Sequence, residues 1–324
     1  MVESDERHTA DALVRPYEPS DEAALIRVWN LVLHADPIDA VWWRRRVLLD
    51  PNFAPDGCLV VEGHGAVRGF LLSLTRRVPF FGEELQPEQG WITAFGIEPD
   101  WQGFGLGRAL LDGALDRLRW LGCRTVTVGP YLPNYVTPGI DVTAYGRAIN
   151  FLLRHGFEIV ENPLDLQAGL ASLRMPGDLA AIAERLQHEG IEVRPVAPTD
   201  IVPLLDFVRR HFSWDWHRGA REVLAALFAG DPRGVGMQVA LHRDSDAVLG
   251  YAQHEGEYFG PLGVRPDTRG RGIATALLAA TLANMRRQGR RAVYIHWTFD
   301  EAARLYARFG FEEVRRFAIL RKVL

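Results

Sequence analysis

The chain has 324 residues, enough for two domains of ordinary size. Apolar residues make up 48%, charged residues 24% and aromatic residues 10%, which excludes a disordered, collagen-like or small disulfide-stapled protein. The formal net charge of -4, from 37 Lys+Arg and 41 Asp+Glu, excludes a global basic field that would draw the chain to nucleic acid or anionic lipid.

The chain carries two cysteines, Cys58 and Cys123, which are too few for a disulfide framework and lack the paired spacing of a metal site. The amino terminus is polar and acidic, unlike a secretory leader, and no run of about 18 apolar residues could cross a bilayer. These features predict a cytoplasmic protein with no bound metal, no membrane partner and no nucleic-acid partner.

The first predicted elements are a short strand, a helix and three further strands. Leu13 to Tyr17 is typical of a strand stopped by proline, and Ser20-Asp21 opens an amphipathic helix. Cys58 to Glu62 and Gly69 to Leu74 predict a hairpin, and Trp91 to Ile97 predicts a third strand that ends in Pro-Asp. Strands in a direct run favour antiparallel pairing.

A glycine-rich turn and a long helix follow the third strand. The apolar positions of this helix keep helical spacing: Leu106, Leu110, Leu111, Ala114, Leu118 and Leu121. The helix stops before Gly122, and a buried-looking strand, Val126 to Val128, and a second helix ending at Gly156 come next. A strand, a helix and a strand in succession predict a parallel pair beside the glycine turn.

The same order of elements then occurs a second time. The octapeptide V-R-P-Y-E-P-S-D returns as V-R-P-V-A-P-T-D, and a second glycine turn follows it. Three pairs of landmarks match in order: Val14 with Val193, Phe95 with Leu262, and Gly156 with Gly310. Landmarks that recur at so long a period indicate a duplicated domain rather than a solenoid.

Two loops account for the greater length of the first copy, Arg76 to Gly90 and Pro130 to Asp141. An amphipathic run from Leu179 to Leu186 predicts a helix that connects the copies. The predicted fold class is therefore α/β (α+β), with two tandem domains, 1–176 and 177–324. Each is expected to be a mixed, mostly antiparallel twisted sheet flanked by helices.

The glycine turn of each copy lies between a strand and the start of a helix. The two turns comprise Gln102, Gly103, Phe104, Gly105, Leu106 and Gly107 in the first copy, and Arg269, Gly270, Arg271, Gly272, Ile273 and Ala274 in the second. Free N–H groups at a helix start favour a phosphate or pyrophosphate, and glycine permits its close approach. The spacing fits neither a Walker loop nor a dinucleotide fingerprint. A tight turn without a ligand is the alternative, which the recurrence disfavours.

The pattern Q-x-x-G-x-G in the first copy and R-x-x-G-x-A in the second, with Y-x-x-x-G-F downstream in the second, resembles the GCN5-related N-acetyltransferases. The resemblance covers nearly the whole chain and implies a tandem acetyltransferase. It implies that the backbone of each turn holds the pyrophosphate of acetyl-CoA. It also implies that a splayed strand pair beside the turn holds the thioester and the pantetheine arm.

Amine acetylation needs a neutral amine, donors at the carbonyl oxygen and a proton for the departing thiolate, and it requires neither a metal nor a covalent nucleophile. The resemblance assigns Tyr306, four residues before Gly310, as the acid that reprotonates the CoA sulfur; simple packing is the alternative. The matching residue of the first copy is Leu152, which donates no proton. Glu255 and Glu257 are the candidate bases, with a solvated loop role as the alternative.

Further residues are implied at the cofactor. The backbone N–H near Val264 is the implied oxyanion donor, and Ile97 is the matching residue of the first copy. Arg269 and Arg271 are candidates for clamping CoA phosphates by paired hydrogen bonds, or else are solvated surface arginines. The family commonly carries Asn seven residues before the tyrosine, where this chain has Phe299.

The expected function is transfer of an acetyl group from acetyl-CoA to a small-molecule or protein amine, by a monomer or homodimer. The second copy is expected to be catalytic, and the first to bind acetyl-CoA without turnover or to serve as structure. One alternative is a mycothiol-synthase-like or antibiotic-modifying acetyltransferase, and another is a non-catalytic acyl-CoA sensor. Transfer from an aminoacyl-tRNA is disfavoured because the chain has no excess of basic over acidic residues.

Overall fold

The structure is a computed structural model that describes residues 12–79, 85–132, 134–231 and 234–324. Its contacts divide the chain into two compact units. Unit 1 contains the described residues up to Pro163 together with Arg316–Leu324, and unit 2 is Leu164–Arg315. Within the described ranges no helix has the length and apolar character of a membrane span. Within the same ranges, no group of three or more His, Cys, Asp or Glu side chains is arranged so that it could hold a metal ion.

Unit 1 is a mixed sheet with helices on both faces. Its strands are β1 (Leu13–Pro16), β2 (Cys58–Gly63), β3 (Ala66–Thr75), β4 (Gln89–Ile97), β5 (Thr125–Val128), β6 (Ile140–Asp141) and β7 (Glu158–Glu161). Its helices are α1 (Glu22–Val32), α2 (Ala40–Trp43), which continues into a π-helical segment (Arg44–Leu48), α3 (Leu106–Trp120) and α4 (Gly146–Arg154). Strands β1 to β4 pair antiparallel in order, and β4 is parallel to β5.

Alternate residues of the unit 1 strands enter two different cores, as the period of two along a strand requires. Val61 and Leu71 pack with the buried leucines of α3. Val60 and Phe70 pack with α1 and α2, where the Trp29 ring stacks on Phe70 at a centroid distance of 5.2 Å. The sheet is therefore covered on both faces.

Unit 2 repeats this plan. Its strands are β8 (Leu164–Gly169), β9 (Ile191–Pro195), β10 (Val235–His242), β11 (Ala247–Glu255), β12 (Tyr258–Val264) and β13 (Ala292–Thr298). Its helices are α5 (Leu179–His188), α6 (Ile201–His211), α7 (Trp214–Ala229), α8 (Ile273–Arg287) and α9 (Asp300–Ala307). Strands β9 to β12 pair antiparallel in order, and β12 is parallel to β13. The predicted class, a mixed and mostly antiparallel sheet flanked by helices, is confirmed.

Each unit takes one central strand from the other copy of the sequence. The last strand, β14 (Glu312–Val323), ends in unit 1, where Leu320 lies opposite Val128 of β5. In unit 2, β8 from the first copy pairs antiparallel with β13, and Ala168 lies opposite Val293. The compact units thus divide the chain at Pro163, whereas the predicted domains 1–176 and 177–324 concern the duplicated sequence and stay a prediction.

The repeated octapeptide has the same structural role in both units. Arg15 Nη1 and Nη2 donate to the two carboxylate oxygens of Asp21 at 2.7 and 2.8 Å, and the Glu18 N–H donates to Asp21 Oδ2 at 2.8 Å. Arg194 and Asp200 form the same two-pronged pair at 2.6 and 2.9 Å. The arginine hydrogen bonds lower the pKa of both carboxyl groups. This repeat therefore joins a strand end to a helix start.

The predicted insertions of the first copy are connections between strands. Arg76 to Gly90 joins β3 to β4, and residues 80–84 of it lie outside the described residues. Pro130 to Asp141 follows β5 and ends in β6, with residue 133 likewise outside.

Candidate functional site

The glycine turn of unit 1 leaves the start of α3 accessible. Strand β4 ends at Ile97, a 3-10 turn spans Pro99–Trp101, and α3 begins at Leu106. Gly103 and Gly105 have φ angles of 90° and 80°, in the left-handed region that favours glycine. A Cβ atom at either position would meet nothing within 4 Å. The space beside the N–H groups of the first helical turn, which have no intrahelical partners, is therefore open.

The other predicted residues of this turn give it shape. Gln102 Nε2 donates to the carbonyl at the end of β4 at 2.9 Å. Leu106 is buried in the core beneath α3, and Phe104 packs against that core. Gly107 lies in α3, and a Cβ there would have Phe151 Cζ as its nearest neighbour at 3.8 Å, an ordinary contact. A side chain at Gly107 would thus be accommodated without a clash.

Strands β4 and β5 pair over only half of β4. The parallel register ends at Ile92 opposite Val128, and the Gly129 N–H donates to the Ile92 carbonyl at 3.1 Å. Beyond this point no strand of the described ranges pairs with residues 93–97 on the β5 side. Gly129 has a φ of 135°, and a Cβ there would lie 3.3 Å from Gly139 Cα, so glycine lets the chain turn away. An open backbone edge results beside the glycine turn.

A cavity of about 1060 Å³ joins the glycine turn to this open edge. Its other walls come from α4, from the loop that precedes α4 and from the segment that follows α1. Sites for small molecules occupy roughly 300–1,000 Å³, so this volume is at the upper end. The shape suits an elongated ligand with one end at the turn and its length along the strand edge.

Both signs of charge line this cavity. Its basic residues are three exposed arginines: Arg108, Arg147 and Arg154. Among the described residues, Asp36 is its one acidic side chain. Tyr145 Oη donates to Asp36 Oδ2 at 2.9 Å and accepts from the Ala35 N–H at 3.0 Å. The His34 ring lies edge-on to the Tyr145 ring at a centroid distance of 5.7 Å.

The glycine turn of unit 2 has the same backbone conformation but less open space. Gly270 and Gly272 have φ angles of 78° and 90°. The cavity over this turn measures about 420 Å³, against about 1060 Å³ in unit 1. A Cβ at Gly272 would lie 2.7 Å from Ile182 Cγ2, because α5 packs against the turn. Ile273 is buried, and both Ile273 and Ala274 line the cavity.

The two arginines predicted to clamp phosphates differ in their surroundings. Arg271 forms an ion pair with Glu189, whose Oε2 accepts from Arg271 Nε at 2.9 Å. Arg185 Nη2 donates to the Arg271 carbonyl at 2.9 Å. Arg269 is exposed and lines the cavity, as does Val264 at the end of β12. An anion at this turn would therefore compete with a carboxylate for Arg271.

Tyr306 lies in the core of unit 2. It is 7% exposed, and its ring packs against Phe259 and Phe311 at centroid distances of 6.0 and 5.6 Å. Burial raises the pKa of its phenol, which keeps the hydroxyl protonated at neutral pH. The side chain does not line the cavity over the unit 2 turn.

Glu255 and Glu257, the predicted bases, flank the tight turn between β11 and β12. Glu255 is exposed, and Glu257 is half-buried. Glu257 Oε1 accepts from the Ala292 N–H at 3.2 Å and from the Arg291 N–H at 3.4 Å, which ties it to the start of β13. Neither carboxylate lines the cavity over the unit 2 turn.

Two polar pairs have no counterpart in the sequence predictions. One is Asp36 with Tyr145 in unit 1. The other is in unit 2, where His296 Nδ1 lies 3.0 Å from the buried Asp165 carboxylate and the Trp297 N–H donates to the same group at 3.2 Å. The members of each pair are more than a hundred residues apart, so no local spacing signals them.

Two acetyltransferase families match the chain. The family described as "Acetyltransferase (GNAT) family" matches residues 25–137, and that described as "Acetyltransferase (GNAT) domain" matches residues 235–313. A mycothiol acetyltransferase of Geodermatophilus obscurus is 34% identical over 110 residues, which are 33% of this chain and 35% of that protein. The match thus spans about a third of the length of this relative.

Solved structures with the same fold cover nearly the whole chain. A GCN5-related N-acetyltransferase from Sphaerobacter thermophilus is similar over 96% of this chain and 95% of its own, with 21% identity and a TM-score of 0.66. A tandem GNAT protein from the clavulanic acid biosynthesis pathway is similar over 97% of this chain and 98% of its own, with 18% identity and a TM-score of 0.59. A structure that contains the glucosamine N-acetyltransferase region of a fungal multi-domain β-N-acetylglucosaminidase is similar over 96% of this chain and 38% of its own. Its identity is 20% and its TM-score is 0.72. At these identities the likeness concerns the fold.

Proposed function

Because this chain belongs to the GCN5-related N-acetyltransferase family and carries two such domains in tandem, we propose that it transfers the acetyl group of acetyl-CoA to a primary amine in unit 1. Acetyl-CoA is placed in the cavity of about 1060 Å³ that begins at the Gln102 to Gly107 turn. The acceptor is a small molecule or a protein amine.

The continuity of that cavity with the open edge of β4 carries the proposal. Free N–H groups at the start of α3 suit the pyrophosphate, and Arg108 in the first turn of this helix adds a positive charge, although it also pairs with the exposed Asp112 at 3.3 Å. The amides of the pantetheine arm match the backbone donors and acceptors of residues 93–97, as an added strand would. A backbone N–H of the same edge is then available to the thioester oxygen, where negative charge develops during attack.

Unit 2 supports acetyl-CoA less well. Helix α5 packs against its turn through Ile182, and Arg271 already pairs with Glu189. We therefore place the reaction in unit 1. The roles predicted for Tyr306 as acid and for the two glutamates as bases stay predictions that concern unit 2.

Binding of acetyl-CoA distinguishes the two turns directly. The test is a calorimetric titration of the wild type and of the matched variants Gly107→Glu and Ala274→Glu, which place a carboxylate at equivalent positions of α3 and α8. Gly107→Glu is expected to weaken binding by roughly 30-fold or more, since a carboxylate opposes the pyrophosphate in a confined site. Ala274→Glu is expected to leave the affinity within about twofold. The opposite pattern would contradict the assignment to unit 1.

Turnover distinguishes an enzyme from an acyl-CoA sensor. Release of the CoA thiol is measured with acetyl-CoA and a panel of alkylamines, amino sugars and lysine peptides. We expect thiol release that depends on an amine and is lost in Gly107→Glu. Tight binding of acetyl-CoA without thiol release for any amine of the panel would favour the sensor.

A further inference from the structure

We propose that Asp36 and Tyr145 form the acceptor-amine site and the proton relay of unit 1. The inference rests on the proposed function, because it takes acetyl-CoA to lie in the same cavity. Asp36 follows α1 and Tyr145 immediately precedes α4, so two separate segments of the chain meet at this point. Both side chains line the cavity, and neither belongs to the glycine turn.

The two side chains are already coupled. Tyr145 Oη donates to Asp36 Oδ2 at 2.9 Å. The Ala35 N–H donates to Tyr145 Oη at 3.0 Å, and the His34 ring supports the tyrosine ring from the side. These hydrogen bonds and the ring contact orient the phenol. Asp36 is half-buried, so it is partly desolvated and still accessible from the cavity.

The position of the pair along the cavity suits the acceptor. Phe151 on α4 lies beside the turn, because its ring is 3.8 Å from where a Cβ of Gly107 would be. Tyr145 precedes Phe151 by six residues, which corresponds to about 9 Å along an α-helix. Tyr145 therefore lines the cavity at a point of α4 that is separated from Phe151 and the turn, and we place the acceptor beside it.

The charged side chains that line the cavity support this placement of the acceptor. Asp36 is the one acid that lines the cavity in the described part of the chain, so it is the group that attracts an ammonium ion. Arg108 lies on the first turn of α3, where it favours phosphate instead. The cavity thus has a positive charge at the turn and a negative charge at Asp36, and the exposed side chains of Arg147 and Arg154 on α4 also line it.

The pair can move the one proton that the reaction must transfer. The bound ammonium ion first releases one proton to solvent, and the neutral amine nitrogen then attacks the thioester carbon, so that the new N–C bond forms and the C–S bond breaks. The proton lost by the nitrogen goes to the Asp36 carboxylate, protonated Asp36 passes it to Tyr145 Oη, and Tyr145 gives its own proton to the CoA thiolate. Both residues end as they began, and the net change is one proton from nitrogen to sulfur.

This relay replaces a donor that the first copy lacks. Leu152 occupies the position that Tyr306 holds in the second copy, and it has no proton to give. Tyr145 stands seven residues before Leu152 and is the counterpart of Phe299. The cavity of unit 1 therefore contains a phenol, that of Tyr145, which lies just before α4 rather than within it.

The surroundings of Asp36 indicate the class of acceptor. Val32, Leu33 and Val136 line the cavity together with it, so the body of the acceptor contacts apolar side chains. A carboxylate beside the reacting amine would be repelled by Asp36. We therefore infer a primary alkylamine that carries no neighbouring anion, rather than an α-amino acid.

The test compares n-butylamine with norvaline, which is the same amine with an added α-carboxylate. Thiol release is measured at saturating acetyl-CoA for the wild type, Asp36→Asn, Tyr145→Phe and the double variant. Asp116→Asn and Tyr251→Phe are the matched controls, since the first is an exposed acid of α3 that pairs with Arg119 outside the cavity and the second is a buried tyrosine of unit 2. Melting temperatures verify that each variant is folded.

Asp36→Asn is expected to lower kcat/KM for n-butylamine by roughly 100-fold or more, the usual effect of losing a general base. Its pH profile should move upward, because the variant depends on amine that is already neutral. Tyr145→Phe should lower kcat more than it raises KM, and the double variant should lose less than the product of the single losses. The wild type should prefer n-butylamine to norvaline, and Asp36→Asn should lose this preference.

Equal turnover in the wild type, Asp36→Asn and Tyr145→Phe would overturn the relay. So would a wild type that neither acetylates n-butylamine nor binds it in calorimetric titrations of the CoA complex. Acetyl-CoA affinity separates this failure from that of the proposed function. If Gly107→Glu leaves acetyl-CoA binding unchanged, the proposed function is wrong; if it abolishes binding while the relay variants stay active, the relay alone is wrong.

Discussion

Acidification from pH 7 to pH 4 is expected to destabilise unit 2 through one buried histidine. His254 on β11 is fully buried, and Asn284 Nδ2 lies 3.0 Å from its Nε2 as the donor to a neutral ring. On the neighbouring strand Gly236 lies opposite, and a Cβ there would be only 2.3 Å from Nε2. The ring therefore occupies a closely packed site that is shielded from solvent, where a charge is poorly stabilised.

Burial lowers the pKa of His254 from 6.5 to about 4. The unfolded chain consequently takes up a proton at higher pH than the folded chain does. The full stability is present above pH 6.5 and is lost progressively as the pH falls to about 4. At roughly 1.4 kcal/mol for each pH unit of difference, the loss amounts to about 3 kcal/mol.

Urea unfolding, followed by circular dichroism at pH 7, 6, 5 and 4, measures this loss in the wild type and in His254→Gln. Glutamine offers Asn284 an acceptor but does not titrate, so the difference between the two proteins isolates the histidine. The wild type should lose about 3 kcal/mol more than the variant over this range. Parallel losses in the two proteins would refute the reasoning.

Two further predictions concern the choice of copy and the exchanged strand. Tyr306→Phe should leave acetyl transfer within about twofold of the wild type if the reaction occurs in unit 1; a fall of more than about tenfold at unchanged acetyl-CoA affinity would return the chemistry to unit 2. Removal of residues 316–324 should unfold the sheet of unit 1 around β5. The deletion removes the buried side chains of Phe317, Ile319 and Leu320, whose apolar burial contributes roughly 5 to 9 kcal/mol to the stability of the fold. Hydrogen exchange of the β5 amides measures this effect, and retained protection would contradict the observed pairing.

Much of the fold was predictable because it depends on local patterns. The spacing of leucines in α3, the hairpin of β2 and β3 and the recurrence of the Val14 to Asp21 octapeptide all follow from short stretches of chain. The exchange of strands was not predictable, since β8 and β14 join sheets whose other strands are distant in sequence. Local preference makes each segment a strand but does not choose its neighbour.

The candidate site was likewise predictable only in part from the sequence. The positive φ angles of Gly103 and Gly105, and those of Gly270 and Gly272, follow from the position of glycine before a helix, so both turns could be located from sequence. Which turn is open depends on the packing of Ile182 against Gly272, a tertiary contact. The prediction that the second copy is catalytic rests on Tyr306 and stays a prediction, whereas the proposal for unit 1 rests on this contact.

Hydrogen exchange with and without acetyl-CoA distinguishes the two copies within one experiment. Ligand-dependent protection is expected at residues 93–97 and at the start of α3, because these backbone amides bind acetyl-CoA in the proposed complex. The equivalent amides at the start of α8 should exchange at the same rate in both states. Protection at the start of α8, with none along β4 and α3, would contradict the placement of acetyl-CoA in unit 1.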